Sequence, residues 1–226
     1  RYIDYNAENL LLHKLSQQGP KLAKGDVNND GLEDFIIGGS YGHFDELFLQ
    51  SANGIFSKKT LSTNLKTNNR ETVGLELFDA DNDGDLDIYL VSGSNEFVNG
   101  SDNYQDELLL NDGSGKFSVN GKLPEITSSG SCVVTCDFDK DGDIDIFRGG
   151  RLTPLEYPKP GRSFLLENQG VNFTEKTPEF LKNIGMVTDA EWIDVDNDSW
   201  TDLVIVGEYM PITIIYNKKG KLQPPV

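Results

Sequence analysis

The sequence predicts an all-β fold, a β-propeller of four-stranded antiparallel blades with four repeats present, and three observations carry that reading. The first is one sentence written four times: GDVNNDGLEDFIIGG from Gly25, FDADNDGDLDIYLVSG from Phe78, CDFDKDGDIDIFRGG from Cys136 and IDVDNDSWTDLVIVG from Ile193. The second is its period. The leading acids Asp26, Asp79, Asp137 and Asp194 stand 53, 58 and 57 residues apart, the spacing of an array of supersecondary units. The third is strands apolar on both faces, such as 35–37 and 203–206, which need cover on both sides. A radial stack of blades supplies it, because each sheet lies between its neighbours.

Taken in order, 1–16 is expected to be the outer strand of a preceding blade, with 9–15 supplying the strand. The repeats then run approximately over 17–68, 69–126, 127–183 and 184–226, all within one partial propeller domain spanning 1–226. The second repeat shows the unit best: strand 72–78, acidic loop 79–87, apolar strand 88–92, third strand 107–110, and fourth strand 116–119 after the turn Asp112-Gly113-Ser114-Gly115. Third strands are expected again at 46–49, 163–167 and 212–216. A turn carrying Asn follows each (SANG, NDGSG, NQG, NKKG), and then an apolar position at Ile55-Phe56, Phe117, Phe173 or Leu222.

Each acidic loop has the spacing of a site for one hard cation. Carboxylates at loop positions 1, 3, 5 and 9 turn toward one centre, and the backbone oxygen of position 7 fills the gap. The candidate ligands are Asp26, Asn28, Asp30, Leu32 and Asp34; Asp79, Asp81, Asp83, Asp85 and Asp87; Asp137, Asp139, Asp141, Asp143 and Asp145; and Asp194, Asp196, Asp198, Trp200 and Asp202. Leu32, Asp85, Asp143 and Trp200 stand at position 7, so the side chains of Asp85 and Asp143 are expected in solvent. An EF-hand begins the same way but needs Glu at position 12 and flanking helices. Here position 12 is Ile37, Leu90, Arg148 and Ile205. All-oxygen ligands on a turn suit Ca²⁺, and about four structural calcium ions are expected. Loops 1 and 4 should bind more weakly. Asn28 replaces a carboxylate, and Ser199 replaces the glycine of Gly31, Gly84 and Gly142, where a left-handed backbone costs about 1 kcal/mol or more.

Composition narrows the partners. With 37% hydrophobic and 10% aromatic residues, 226 residues build a core. Lys and Arg number 20 against 37 Asp and Glu, a net charge of −17, which argues against nucleic acid or an anionic membrane as partner. No stretch approaches the roughly 20 apolar residues of a membrane span. Both ends read as mid-pattern, so the chain is expected to be a piece of a longer propeller. Cys132 and Cys136 lie on one strand, beyond disulfide reach of each other, and read as buried thiols.

The loops, with the strand and small residues that follow them, resemble the FG-GAP or VCBS repeat of integrin-like β-propellers. The segments LLLHKLSQQGPKLAKGDVNNDGLEDFIIGG and GMVTDAEWIDVDNDSWTDLVIVGEYMPITIIYN are similar to bacterial secreted relatives of the cartilage acidic protein group, whose repeats accompany an ASPIC/UnbV module. The resemblance implies a seven- or eight-bladed ring, Ca²⁺ between the first two strands of each blade, and an extracellular, cell-surface or periplasmic location. The remaining blades, or a second chain, would complete the ring.

The expected function is a calcium-binding scaffold for protein interaction or adhesion. The sequence holds no G-x-S-x-G, H-E-x-x-H or phosphate loop. His13 reads as structural and His43 as an exposed turn residue, so catalysis is not expected. The alternative is a carbohydrate-binding module or part of a secreted glycan-processing hydrolase or lyase, in which Tyr41, Phe44, Phe97, Tyr104 and Tyr157 stack on sugars. The Pro-rich connection 151–162 is the candidate recognition loop.

Overall fold

The computed structural model describes residues 2–9, 11–17, 20–61, 69–119 and 121–225. Its strands form four antiparallel sheets in which spatial order follows chain order. Blade 1 holds β1 (Leu22–Gly25), β2 (Asp34–Ile37), β3 (Glu46–Gln50) and β4 (Phe56–Thr60). Blade 2 holds β5 (Glu71–Phe78), β6 (Asp87–Gly93), β7 (Glu107–Asn111) and β8 (Phe117–Ser118). Blade 3 holds β9 (Gly130–Cys136), β10 (Asp145–Gly150), β11 (Phe164–Glu167) and β12 (Thr174–Glu175). Blade 4 has three strands, β13 (Met186–Ile193), β14 (Asp202–Glu208) and β15 (Thr213–Ile215). Its expected fourth strand is reduced to an isolated bridge between Asn217 and Leu222. Pro224 and Pro225 follow at once and bring no N–H to a ladder.

The first strands lie side by side, β1 against β5, β5 against β9 and β9 against β13, so the blades fan outward from a line of inner strands. The result is a propeller-like arc that does not close. Alternation along each strand sends one set of side chains to the preceding blade and the other to the next. Ile36 and Leu47 of blade 1 meet Ile88, Leu90 and Leu109 of blade 2. Tyr89 and Leu108 on the other face of blade 2 meet Ile146 and Leu166 of blade 3. Phe147 and Leu165 in turn meet Trp192, Leu203 and Ile205 of blade 4. Each fully buried side chain of this size contributes about 1.5–3 kcal/mol.

The middle interface also holds an ion pair. Arg148 at position 12 of loop 3 donates Nε to Asp106 Oδ2 at 3.1 Å, and both side chains are wholly buried. The hydroxyl of Tyr89 donates to the same carboxylate oxygen at 2.9 Å, and the Ser92 N–H donates to the other at 2.8 Å. These added bonds are what make burial of the pair tolerable.

Among the described residues, nothing covers the outer faces of blades 1 and 4. Position 2 of the loops is 1% exposed at Val27 and Ala80 and 5% at Phe138, but 37% at Val195. Fourth-strand aromatics follow the reverse order: Phe117 and Phe173 are buried and Phe56 is 41% exposed. Cys132 is buried, Cys136 is half-buried beside Thr201, and both thiols are free.

The expected outer strand at 1–16 is not one: the described part of this segment contains no strand. Asp4–Ala7 forms a helical turn and Leu15–Gln17 a 3₁₀ turn. The Asp4 carboxylate accepts from the N–H and hydroxyl of Ser16 at 2.8 and 2.5 Å, which folds the segment back on itself. Leu11 and Leu15 then pack on Leu152 and Met186. Glu8 accepts from the Asn95 side-chain amide and the Tyr157 N–H, and His13 pairs with Glu208 at 3.3 Å. The segment therefore straps blades 2, 3 and 4 together at the end opposite the acidic loops.

Candidate metal centre

Each acidic loop joins the first strand of its blade to the second, and the same three hydrogen bonds shape all four. The position 1 carboxylate accepts backbone N–H groups from positions 5 and 6: Asp79 from Asp83 and Gly84 at 3.1 and 3.0 Å, and Asp137 from Asp141 and Gly142 at 3.1 and 3.2 Å. Asp26 and Asp194 do the same in loops 1 and 4. The position 5 carboxylate accepts the N–H of position 7, at 2.9 to 3.0 Å, from Leu32 to Asp30, Asp85 to Asp83, Asp143 to Asp141 and Trp200 to Asp198. The backbone must turn left-handed twice to do this. Position 4 has φ near 60° at Asn29, Asn82, Lys140 and Asn197, and position 6 has φ of 82°, 93° and 99° at its glycines and 72° at Ser199.

Three carboxylates converge in three of the loops. Asp79, Asp81 and Asp87 in loop 2, Asp137, Asp139 and Asp145 in loop 3, and Asp194, Asp196 and Asp202 in loop 4 each offer an oxygen, and within a loop these oxygens lie within 4.8 Å of one another. Positions 1, 3 and 9 thus form each centre. Asp30, Asp83, Asp141 and Asp198 at position 5 stand outside the triads, their Oδ1 held by position 7.

The donor set could hold a hard divalent cation, and in loops 2 and 3 it leaves a carboxylate oxygen without a hydrogen-bond partner. Asp81 Oδ1 and Asp145 Oδ2 are buried with no hydrogen-bond partner, and an unpartnered buried carboxylate oxygen is costly. Burial, with the charges of Asp81 and Asp83 adding, pushes Asp87 up to about 6. Burial again, with Asp139 and Asp141 adding, pushes Asp145 up to about 7. Asp81 and Asp139 are raised for the same reasons. A bound cation reverses the sign of this field.

Loops 1 and 4 make partners of their own. In loop 1 the Asn28 amide accepts from Asp30 N at 3.2 Å and donates to Asp30 Oδ2 at 3.1 Å. In loop 4 the Lys218 ammonium lies 2.5 Å from Asp196 Oδ2 and 2.8 Å from Asp198 Oδ2, and it holds Asp198 below the usual carboxylate range.

The position 9 carboxylate is the anchor. Asp34, Asp87 and Asp202 accept the N–H of position 2 in their own loops, from Val27, Ala80 and Val195 at 3.2, 2.8 and 3.0 Å. In all four blades the other oxygen accepts an N–H from the end of the third strand, from Gln50, Asn111, Asn168 and Asn217 at 2.7, 2.8, 2.9 and 2.8 Å.

This arrangement repeats at a period the sequence already displays. Residues 26–90 match the FG-GAP-like repeat. No relative matches among the curated proteins. The matched FG-GAP-like repeat opens on the first ligand of loop 1 and ends within β6, so it takes in loops 1 and 2 and the strands between them. Loops 3 and 4 reproduce its geometry beyond the matched span.

One expectation needs correcting. Asp85 and Asp143 are half-buried at the rim and not free in solvent: Asn29 Nδ2 donates to Asp85 Oδ1 at 2.6 Å and Asn82 Nδ2 to Asp143 Oδ1 at 2.7 Å. The left-handed position 4 of one loop swings its side chain onto position 7 of the next. At the third junction Lys140 donates to the Ser199 carbonyl at 2.6 Å and lies over the Trp200 ring. The turn asparagines are also more than turn formers. Asn111, Asn168 and Asn217 donate side-chain amides to Val27 O, Ala80 O and Phe138 O of the preceding loops at 2.8, 2.8 and 2.7 Å. Their signal was present as an Asn recurring directly after the third strand.

Proposed function

We propose that this chain is a non-enzymatic, calcium-stiffened interaction scaffold, with Ca²⁺ held structurally in its acidic loops. The observation that carries the reading is the pair of carboxylate triads in loops 2 and 3, each with a buried oxygen lacking a partner. Asp79, Asp81 and Asp87, and Asp137, Asp139 and Asp145, would hold the ions, which supply charge neutralisation and tie the first two strands of a blade together. Loops 1 and 4 bind more weakly because Asn28 replaces an acid in loop 1 and Lys218 offsets two acids of loop 4. Asp-rich loops at a surface suit the millimolar calcium of extracellular modules, which supports an extracellular, cell-surface or periplasmic site of action. The uncovered outer faces of blades 1 and 4 favour a further blade, in the same polypeptide or a second chain, as a covering partner.

The test is calorimetric Ca²⁺ titration of the chelated protein. Two tighter sites and two weaker ones are expected, and no binding at millimolar Ca²⁺ would end the reading.

A second reading is carbohydrate binding at the opposite end. It is favoured by Tyr41 and Tyr209, 54% and 69% exposed on the connections after the second strands and backed by Phe97 and Tyr157 at ring distances of 6.2 Å each. Retention of a single sugar class on a glycan array, lost in Tyr209→Ala, would promote it above protein binding.

A further inference from the structure

Three buried carboxamides occupy one and the same place between blades. The backbone N–H of Asn168 donates to Asp145 Oδ1, the anchor ligand of loop 3, at 2.9 Å, while its side-chain amide donates to the carbonyl of Ala80 at 2.8 Å. Ala80 is position 2 of loop 2, between the ligands Asp79 and Asp81, and its own N–H donates to the anchor Asp87 at 2.8 Å. Asn111 joins Asp87 to Val27 of loop 1 in the same way, and Asn217 joins Asp202 to Phe138 of loop 3. All three residues are buried. Each metal loop is thus tied to the next by one residue that touches a ligand on one side and the backbone between two ligands on the other.

We propose that Asn111, Asn168 and Asn217 are positioning residues that couple adjacent metal loops, so that filling one loop raises the affinity of its neighbour. The inference rests on the calcium reading above. Its physical basis is the rigid path. A cation that draws Asp79 and Asp81 together fixes the Ala80 peptide between them. A fixed Ala80 carbonyl holds the Asn168 side chain, and that holds the N–H oriented on Asp145, itself a member of the loop 3 triad. No part of this path is exposed, so solvent does not weaken it as it does the rim bond from Asn82 to Asp143. Coupling through a contact of this kind is expected to be worth roughly fivefold in affinity, the low end of coupling between linked sites. By linkage the effect is reciprocal: loop 3 favours loop 2 by the same factor.

The experiment is a double-mutant cycle read by calorimetric Ca²⁺ titration on the full chain, comparing the parent with Asp81→Ala, Asn168→Ala and the two combined. Asp81→Ala disables loop 2 but leaves the Ala80 carbonyl in place. Coupling predicts that it also weakens the surviving tight site, loop 3, roughly fivefold, and that in the Asn168→Ala background the same disabling changes loop 3 by less than about twofold. An equal loss with and without Asn168, or no loss in either, overturns the proposal. So does a loss that survives Asn168→Ala but disappears in Asn82→Ala, which would assign the coupling to the rim. A latch that was only structural would lower the melting temperature in EDTA without changing how loop 3 responds to loop 2. Asn168→Ser, polar but too short to reach Ala80, repeats the cycle if the alanine variant unfolds. Absence of any binding in the parent would instead bring down the calcium reading, with no bearing on the latch alone.

Discussion

The two middle loops and the two outer loops share one backbone and differ in what balances their charge. In loops 2 and 3 burial drives the anchors Asp87 and Asp145 up to about 6 and about 7, and an oxygen of each triad lacks a partner. In loop 4 the Lys218 ammonium bridges Asp196 and Asp198, and in loop 1 Asn28 replaces an acid and closes its own hydrogen bonds. The blade faces divide differently: Val27, Ala80 and Phe138 are covered by the next blade, and Val195 alone of the four is not. Ligand geometry alone therefore does not rank these sites. What ranks them is how much negative charge is left uncompensated: loop 1 has one acid fewer, and loop 4 has a lysine on two of its acids.

The most direct way to break the comparison is to remove one ligand from each class. At Ca²⁺ a hundredfold above Kd, a filled site stabilises by about 2.7 kcal/mol. Asp139→Ala in loop 3 should forfeit most of this, lowering the melting temperature in Ca²⁺ by about 5–10 °C and changing little in EDTA. Asp196→Ala in loop 4 should cost under about 1 kcal/mol in either condition, since it removes only a half-exposed contact to Lys218. Equal losses for the two variants in Ca²⁺ would erase the distinction between middle and outer loops.

A covered and a bare blade face can be compared through one pair of acids. Glu76 of β5 lies on the face of blade 2 that blade 3 covers, and burial, with the Glu191 charge adding, pushes it up to about 7. Glu191 stands three residues before Asp194 of loop 4, on the bare side of blade 4, and is exposed. Because the folded state keeps the Glu76 proton to higher pH than the unfolded chain, stability falls as pH rises between about 4.5 and 7 and is then flat. Glu76→Gln removes that loss. Screening at this half-buried position limits the gain to about 1–2 kcal/mol at pH 8, with none at pH 4. Glu191→Gln removes only the added charge and should recover a smaller part of that pH-dependent loss in thermal melts, and a gain equal to that of Glu76→Gln would make the Glu191 charge, and not burial, the main cause.

Much of this was legible along the chain because it is local. The strands expected at 88–92 and 107–110 are found as β6 and β7, and the four loops fall where the acids recur, since alternation and Asx-rich turns are short-range signals. What escaped reading was contact between blades. The side-chain partners of Asn111, Asn168 and Asn217 lie 84, 88 and 79 residues away and are backbone carbonyls, which leave no trace in residue identity. Lys218 could be seen as a charge after a turn asparagine but not as the cation of loop 4, because the contact closes only when β15 pairs with β14. The N-terminal segment misled for the opposite reason. Its leucines carry an apolar pattern that fits a strand, and the Asp4–Ser16 hydrogen bonds that fold it back span twelve residues.

Lys218 permits a test in the gaining direction. With the ammonium removed, the loop 4 triad keeps its three converging carboxylates and loses its internal counter-charge. Lys218→Met should therefore tighten calcium at loop 4 severalfold, toward the affinity of loops 2 and 3. Unchanged or weaker binding at loop 4 in titration would mean that Lys218 supports the site instead of competing for it.

The smallest effect concerns the backbone. Ser199 holds φ at 72° where the other loops use glycine, so Ser199→Gly relieves a left-handed strain of about 1 kcal/mol. Part of that gain is lost to the greater freedom of glycine in the unfolded chain, leaving roughly 0.5 kcal/mol. The strain is present with or without metal, so the melting temperature should rise by a similar small amount in EDTA and in Ca²⁺. A rise seen only in Ca²⁺ would show that position 6, and not Lys218, is what weakens loop 4. Combined with Lys218→Met, the two substitutions should add, because one acts on charge and the other on the main chain. Strong non-additivity in titration would mean that the lysine reaches Asp196 and Asp198 only because Ser199 distorts the turn.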